Sequence, residues 1–313
     1  VKLIIQIPCL DEEDTLPATL AELPGEIEGI DCIEVLVVDD GSSDNTAEVA
    51  RSLGVHHIVR HTSNQGLGRA FRSGLDRALK EGADIIVNTD GDGQYSGGSV
   101  QDLVQPILEQ RADIVIGDRQ TANNPEFSTT KKILQWLGSH VVRSLSGVNV
   151  RDAVSGFRAI SRPAALKLNM LSAFSYTVEM IIQAGNKQMR VISVPVRTNP
   201  KTRESRLFRN IPQFVSRQMV NIVRMYAMYR PMRFFFYLGT VLSAAGLLPI
   251  LRFLFAYAAG DGAGHVQSLV MGAALLTMGF TVFVAGLLSD LISHNRQLVE
   301  MALEKLREAE SGN

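Results

Sequence analysis

The chain is poor in the features that would place it in a secreted or nucleic-acid-binding class. Cys9 and Cys32 are its only cysteines in 313 residues. Two cysteines make neither a disulfide framework nor a cysteine zinc site, and a reducing cytosol is the plain expectation. Formal net charge is −1, so bulk charge gives no reason to expect a nucleic-acid partner. No Gly-x-x-x-x-Gly-Lys-Ser/Thr loop is present. The stretch Asn64-Gln65-Gly66-Leu67-Gly68-Arg69-Ala70 fails the dinucleotide pattern, because Phe71 stands where a third glycine belongs. A signal peptide is not expected either. Val1–Ile7 is a short apolar run ended by Pro8 and Asp11-Glu12-Glu13, and it reads as a buried strand. Between positions 197 and 233 acids nearly vanish: Arg197, Lys201, Arg203, Arg206, Arg209, Arg217, Arg224, Arg230 and Arg233 face only Glu204. Such a block beside an apolar run marks an anionic membrane face or a phosphate site.

What is present divides the chain in two. The first half alternates short runs rich in Val and Ile (Leu3–Ile7, Glu34–Val38, His57–Arg60, Asp84–Asn88, Asp113–Gly117) with helical stretches near Thr15–Leu23, Thr46–Leu53, Leu67–Glu81 and Val100–Glu109. That alternation predicts an α/β domain with a mostly parallel sheet covered on both faces. Beyond it, Thr121–Thr130 reads as a polar loop, Lys131–Leu145 as a helix, and Ser155–Ile160 and Val191–Val196 as later strands. Phe208, Ile211, Val215, Met219, Ile222 and Tyr226 recur at helical spacing in Leu207–Tyr229, which predicts a helix lying in a membrane surface. Phe234–Ala259 and Val266–Ile292 each exceed the ~20 residues a membrane span needs. The Gly260–His265 turn makes them a hairpin. Arg230 and Arg233 before it, and His294 and Arg296 after it, predict that the catalytic part faces the cytosol. Asn295–Glu308 reads as a charged amphipathic helix. Gly239, Gly272, Gly279 and Gly286 are candidates for helix packing in a homo-oligomer.

Ligands of parallel sheets sit beyond the carboxyl ends of the strands, and the polar motifs fall there. Asp90-Gly91-Asp92-Gly93-Gln94 offers two carboxylates and an amide oxygen on a loop that glycines let turn tightly. Such oxygens suit Mg²⁺ or Mn²⁺ held by one or two carboxylates while phosphates complete the shell. In Asp39-Asp40-Gly41-Ser42-Ser43-Asp44, Asp40 is a candidate acceptor for a base or a ribose; Asp44 or Ser43 suits a helix cap. Pro8 and Glu12 line the neighbouring loop, Glu12 as an acceptor for ribose.

Four motifs occur in order: Ile7-Pro8-Cys9-Leu10-Asp11-Glu12-Glu13, Val37-Val38-Asp39-Asp40-Gly41-Ser42-Ser43-Asp44, Asn64-Gln65-Gly66, and Asp90-Gly91-Asp92-Gly93-Gln94. With Ser155-Gly156-Phe157-Arg158 and Arg203-Glu204-Ser205-Arg206-Leu207, the chain resembles the family 2 glycosyltransferases of GT-A fold, in the branch that uses polyprenyl phosphates. The resemblance implies that Pro8, Glu12 and Asp40 hold the nucleoside of a UDP- or GDP-linked sugar. Asp90, Asp92 and Gln94 would hold the metal on the diphosphate. Arg119, Arg203 and Arg206 would meet the lipid phosphate or the diphosphate, and Arg158 is a further candidate. Asp92, Arg119 and Arg203 are the expected catalytic residues, and the expected outcome is inversion at the sugar carbon. Two departures stand out: Gly91 where alanine is commoner, and Arg206 where many members carry lysine. The expected layout is a catalytic domain over 1–205, a juxtamembrane helix over 206–233, two spans over 234–292 and a cytosolic helix over 293–313. The expected partners are a nucleotide sugar, a polyprenyl phosphate and lipids of an inner or plasma membrane. The alternatives are a membrane-anchored transferase that extends a polysaccharide or glycolipid, and a non-catalytic binding protein.

Overall fold

A computed structural model describes residues 1–120, 129–170, 176–199, 220, 223–224, 226–260 and 263–311. Seven strands are present among them: β1 Lys2–Cys9, β2 Cys32–Asp39, β3 His57–Arg60, β4 Ile85–Asn88, β5 Ile114–Asp118, β6 Arg158–Ser161 and β7 Val191–Pro195. They form one sheet in the order β3-β2-β1-β4-β6-β5-β7. The pairs β1–β2, β1–β4, β2–β3 and β5–β7 are parallel, and β6 runs antiparallel to both β4 and β5. The central strand shows why the sequence folds so. Leu3, Ile4, Ile5 and Ile7 are all fully buried, as a parallel strand covered on both faces requires.

Helices cover the sheet: α1 Leu16–Ala21, α2 Thr46–Ser52, α3 Leu67–Lys80, α4 Val100–Leu108, α5 Thr129–Ser146, α6 Arg162–Lys167 and α7 Thr177–Asn186. On α3 the buried Phe71, Gly74, Leu75, Ala78 and Leu79 make one stripe at spacings of three and four. Each large apolar side chain on it contributes about 1.5–3 kcal/mol when fully buried. The short α6 and α7 were not expected. Helix α7 is buried from Thr177 to Ala184, so it lacks the polar face that reveals a surface helix.

The antiparallel β6 positions the site. Arg158, its first residue, pairs with Asn88 at the end of β4 and with Ile116 near the end of β5. The turn that precedes β6 therefore lies at the sheet edge where β4 and β5 deliver Asp90 and Arg119. Strand β6 begins at Arg158 rather than at the expected Ser155, because the Ser155 and Gly156 carbonyls accept from side chains instead of a neighbouring strand.

The chain separates into two units, Val1–Phe214 with Met301–Asn313, and Val215–Glu300. In the second, Pro231–Ala258 forms one long helix and Val266 begins another that runs unbroken to Ser311. Both are long and apolar enough to cross a membrane. Large side chains such as Leu248, Phe255 and Phe280 stand exposed, which a core hairpin of a soluble protein would bury. The four expected glycines pack within the hairpin. A Cβ on Gly239 would lie 2.9 Å from Phe283, on Gly272 2.7 Å from the Gly246 carbonyl, on Gly279 3.0 Å from the Gly239 carbonyl, and on Gly286 2.8 Å from Phe235. The expected terminal helix continues the second long one. Within the first unit, Arg307 donates to the carbonyls of Leu166 and Leu168 and to Asn169, and pairs with Asp76. Residues 121–128 of the polar loop expected near 121–130, and most of the membrane-surface helix expected over 207–229, lie outside the described residues; Thr129 and Thr130 begin α5.

Candidate active site

Three acidic loops meet at the carboxyl ends of β1, β2 and β4. The first two interlock through backbone donors. Asp11 accepts from the Ser43 N–H (2.7 Å), the Glu13 N–H donates to Asp44 (3.1 Å), and the Glu12 N–H donates to the Thr46 hydroxyl (2.8 Å). Asp44 also accepts from the Thr46 N–H at the start of α2 (3.0 Å), but the N-cap position is Asn45, whose side chain makes no cap bond, so neither Asp44 nor Ser43 is the N-cap expected from the sequence. Gly41 makes the turn possible. Its φ is +75°, and a Cβ there would lie 2.5 Å from the Ser63 backbone. The third loop joins through Thr15, whose hydroxyl bridges the Glu12 carboxylate (2.7 Å) and the Gly91 carbonyl (2.9 Å). Glu12 is 6% exposed and Pro8 is buried beside it.

Asp40 is 4% exposed and already heavily engaged. It accepts from the N–H groups of Gln65 (3.0 Å) and Gly66 (2.8 Å), and its Oδ1 lies 2.6 Å from His61 Nδ1. An ionised carboxylate only accepts, so Nδ1 carries the proton. His61 Nε2 faces the Ser73 hydroxyl at 2.9 Å. Asp40 thus fixes the Asn64-Gln65-Gly66 turn, and His61 fixes Asp40. A cleft of ≈ 370 Å³ opens beside them, lined by Gly41, Ser42, Arg60, His61 and Thr62.

Asp92 accepts from the Gln94 N–H (3.1 Å), which closes the metal-candidate loop on itself. The segment after β7 holds that loop from outside. Asn199 donates its N–H to the Gln94 carbonyl (2.8 Å) and its amide to the Gly93 carbonyl (3.0 Å). Among the described residues no three His, Cys, Asp or Glu side chains converge as a ready-made metal cage. Asp90 and Asp92 fit the other kind of site, in which two carboxylates hold Mg²⁺ or Mn²⁺ and substrate phosphates supply the remaining oxygens. Space around the loop is kept by missing side chains. A Cβ on Gly91 would lie 3.0 Å from Cys9 Sγ, 3.5 Å from Glu12 Cγ and 3.6 Å from Ile7 Cγ2. The departure from alanine at this position therefore has a local cause: the Cys9 sulfur already fills that space. Burial pushes the Cys9 thiol well above its usual pKa, and the carboxylates of Glu12, Asp39 and Asp90 add to the effect.

The arginines separate into three cases. Arg119 makes a two-pronged pair with the fully buried Asp152, Nε–Oδ2 2.7 Å and Nη2–Oδ1 3.0 Å. Burial alone would lower the Arg119 pKa; the Asp152 carboxylate overrides it, and the net direction is up. Arg158 does not serve as a phosphate ligand. It is 0% exposed, and its guanidinium donates to the carbonyls of Ser155 (2.8 Å), Thr177 (2.7 Å) and Ala153 (2.9 Å). No edge is left for an anion, so its part is to brace the turn before β6. Burial pulls its pKa down to about 10. Arg203 and Arg206 lie outside the described residues.

Sequence reasoning missed His61, Tyr95, Asn88, Asp152 and Tyr176. None stands in a spacing that announces a role; each matters through partners far away in the chain. Tyr95 directly follows the acidic loop, and Asp152 stands three residues before the Ser155–Arg158 motif, which was the available signal.

Residues 4–168, more than half of the chain, match the family described as Glycosyl transferase family 2, and residues 230–294 match the family described as GtrB C-terminal hairpin. The chain is 29% identical over 206 residues to the undecaprenyl-phosphate mannosyltransferase of Micrococcus luteus, covering 63% of this chain and 83% of that protein. It is 32% identical over 186 residues to the UDP-N-acetylglucosamine–dolichyl-phosphate N-acetylglucosaminyltransferase of Methanococcus voltae, covering 52% and 74%. Glucosyl-3-phosphoglycerate synthase of Mycobacterium tuberculosis, solved with Mn²⁺, UDP and glucosyl-3-phosphoglycerate, shares the fold with a TM-score of 0.56 at 18% identity, over 73% of this chain and 79% of that one. The GT-A-like fold expected from the sequence is the one found.

Proposed function

The chain belongs to glycosyl transferase family 2, and from that premise we propose that it transfers a sugar from a UDP- or GDP-linked donor to a polyprenyl phosphate, with inversion at the anomeric carbon. One observation carries this reading. The family 2 match and the GtrB C-terminal hairpin stand in the same chain, joined by the basic segment that runs from Arg197 to Arg233. The relatives named above for undecaprenyl and dolichyl phosphate support the acceptor class.

Pro8, Glu12 and Asp40 hold the nucleoside, with His61 keeping Asp40 in place. Asp90, Asp92 and Gln94 would hold Mg²⁺ or Mn²⁺, which when bound stabilises charge on the departing nucleoside diphosphate. An oxygen of the acceptor phosphate bonds to the anomeric carbon as the bond from that carbon to the diphosphate oxygen breaks. The attacking phosphate is ionised near neutral pH, so no side chain has to take a proton from it. The task of the protein is to bring two anions together, which forked arginines do well. Arg119, oriented by Asp152, supplies a fixed positive charge. Arg203 and Arg206 follow Asn199, the residue tied to the acidic loop, by four and seven positions. In this reading residues 1–205 are the catalytic domain, 234–292 two spans and 293–313 a cytosolic segment; the juxtamembrane helix expected over 206–233 lies largely outside the described residues. The basic residues flanking the hairpin keep the catalytic domain on the cytosolic side of the plasma membrane.

The test is a donor screen. Purified full-length protein, undecaprenyl phosphate and Mg²⁺ are incubated with a panel of UDP- and GDP-sugars, and lipid products are read by mass. The expected product is a single sugar on the lipid phosphate, with anomeric inversion by NMR, and it disappears with EDTA or in Asp92→Asn. A full rate in Asp92→Asn would remove the metal role. Failure to label the lipid with any donor would remove the acceptor assignment.

A further inference from the structure

The turn before β6 is held at every side. The Gly156 N–H donates to Tyr95 Oη (3.2 Å), and the Gly156 carbonyl accepts from Asn88 Nδ2 (2.9 Å) and Tyr176 Oη (3.0 Å). Asn88 is itself oriented by Gln6, whose amide donates to Asn88 Oδ1 (2.9 Å). Arg158 holds the Ser155 and Ala153 carbonyls from behind. Gln6, Asn88, Ser155, Arg158 and Tyr176 are all 0% exposed. Gln6 Oε1 is the one atom of these side chains left without a partner; the remaining bonds fix the backbone position, because each broken bond would leave a further donor or acceptor unpaired away from water.

Against that fixed backbone lies the Asp90 carboxylate. A Cβ on Gly156 would stand 2.9 Å from Asp90 Oδ1, 3.0 Å from Oδ2 and 3.3 Å from Cγ. Gly156 has no positive φ, so its backbone would accept any residue; what glycine supplies here is room. We propose that Gly156 is a positioning residue for Asp90. Its missing side chain is the seat of the carboxylate, and the pinned turn sets the direction in which Asp90 presents its oxygens to the cation. The same turn carries Asp152, so one rigid element aims both Asp90 and Arg119. This inference rests on the reading of Asp90 as a metal ligand.

The test uses full-length protein in three variants: Gly156→Ala, Asp90→Ala, and the two combined. Mn²⁺ alone is titrated into each and followed by water-proton relaxation, and thermal midpoints are measured without metal. Gly156→Ala is expected to weaken Mn²⁺ by about 10–100-fold, the usual effect of disturbing a residue behind a ligand. It is also expected to lower the midpoint in the parent chain and leave it unchanged in the Asp90→Ala background, where the seat is empty. Tyr95→Phe, which keeps the volume and removes the acceptor of the Gly156 N–H, weakens Mn²⁺ in the same direction and serves if Gly156→Ala does not fold. Mn²⁺ affinity that falls in Asp90→Ala and holds in both Gly156→Ala and Tyr95→Phe would overturn the positioning role and leave the metal reading standing. An equal loss of midpoint in both backgrounds would overturn the steric basis. Unchanged Mn²⁺ binding in Asp90→Ala would overturn the metal reading itself, and the positioning role with it.

Discussion

Replacing Asp152 with asparagine tests the pair that aims Arg119. Asp152 is fully buried, and the Arg119 side chain is 15% exposed. The substitution keeps the shape, removes the negative charge, and turns one accepting oxygen into an NH₂ group facing a guanidinium. Breaking a buried ion pair from one side costs about 3–5 kcal/mol, because the remaining charge stays out of water. Asp90 also attracts Arg119, which moves the expected cost to the lower end. About 3 kcal/mol lowers the melting temperature of a unit this size by roughly 6–12 °C. The sign with pH follows from the direction of the Arg119 shift. A cation whose folded pKa is raised gives its full stabilisation everywhere below its ordinary value, so the deficit is the same at pH 6 and pH 9. The assay is a thermal melt of the detergent-solubilised protein at both pH values, with Arg119→Met/Asp152→Leu as the control. That control removes both charges and recovers most of the loss. A melting temperature for Asp152→Asn within about 2 °C of the parent, less than 1 kcal/mol on the same scale, would refute the claim that the pair is a desolvated one.

Three further outcomes are expected. Gly91→Ala destabilises by about 1 kcal/mol through overpacking against Cys9, whereas in a Cys9→Ala background it stabilises by about 0.4–1 kcal/mol; denaturant melts of the four proteins decide it, and additive costs would refute the contact. Native protein reacts with a thiol reagent at Cys32 alone, since Cys9 is buried and its pKa is raised; two labels before unfolding would contradict this. Because the folded Cys9 thiol resists ionisation, its contribution to stability is complete below the unfolded thiol pKa and falls as pH rises above it, by up to about 1.4 kcal/mol per pH unit, and Cys9→Ala flattens that part of the stability–pH curve.

Legibility in the sequence followed the range of the interaction. Leu3–Ile7 announced a central strand because a strand buried on both faces is a continuous apolar run. Asp90 and Asp92 announced a site because they follow the end of such a strand with a glycine between them. Arg119 and Arg158 are the instructive pair. Both are arginines near the sheet edge, and both were expected to meet phosphate. The first directly follows a strand and turns to a carboxylate; the second is covered by α7, a helix with no polar face to reveal it, and its donors go to backbone carbonyls. Burial of that kind depends on a partner distant in the chain. The antiparallel setting of β6 was hidden for the same reason, since four residues of strand carry no mark of direction.

The contact between Cys9 and Gly91 reaches beyond this one chain. The two positions sit on separate strand ends, yet they draw on a single parcel of volume, sulfur on one side or methyl on the other. An alanine at 91 becomes comfortable only after position 9 has shrunk. A change that shrinks position 9 before adding the methyl at 91 avoids the overpacked intermediate, which the reverse order passes through at a cost of about 1 kcal/mol.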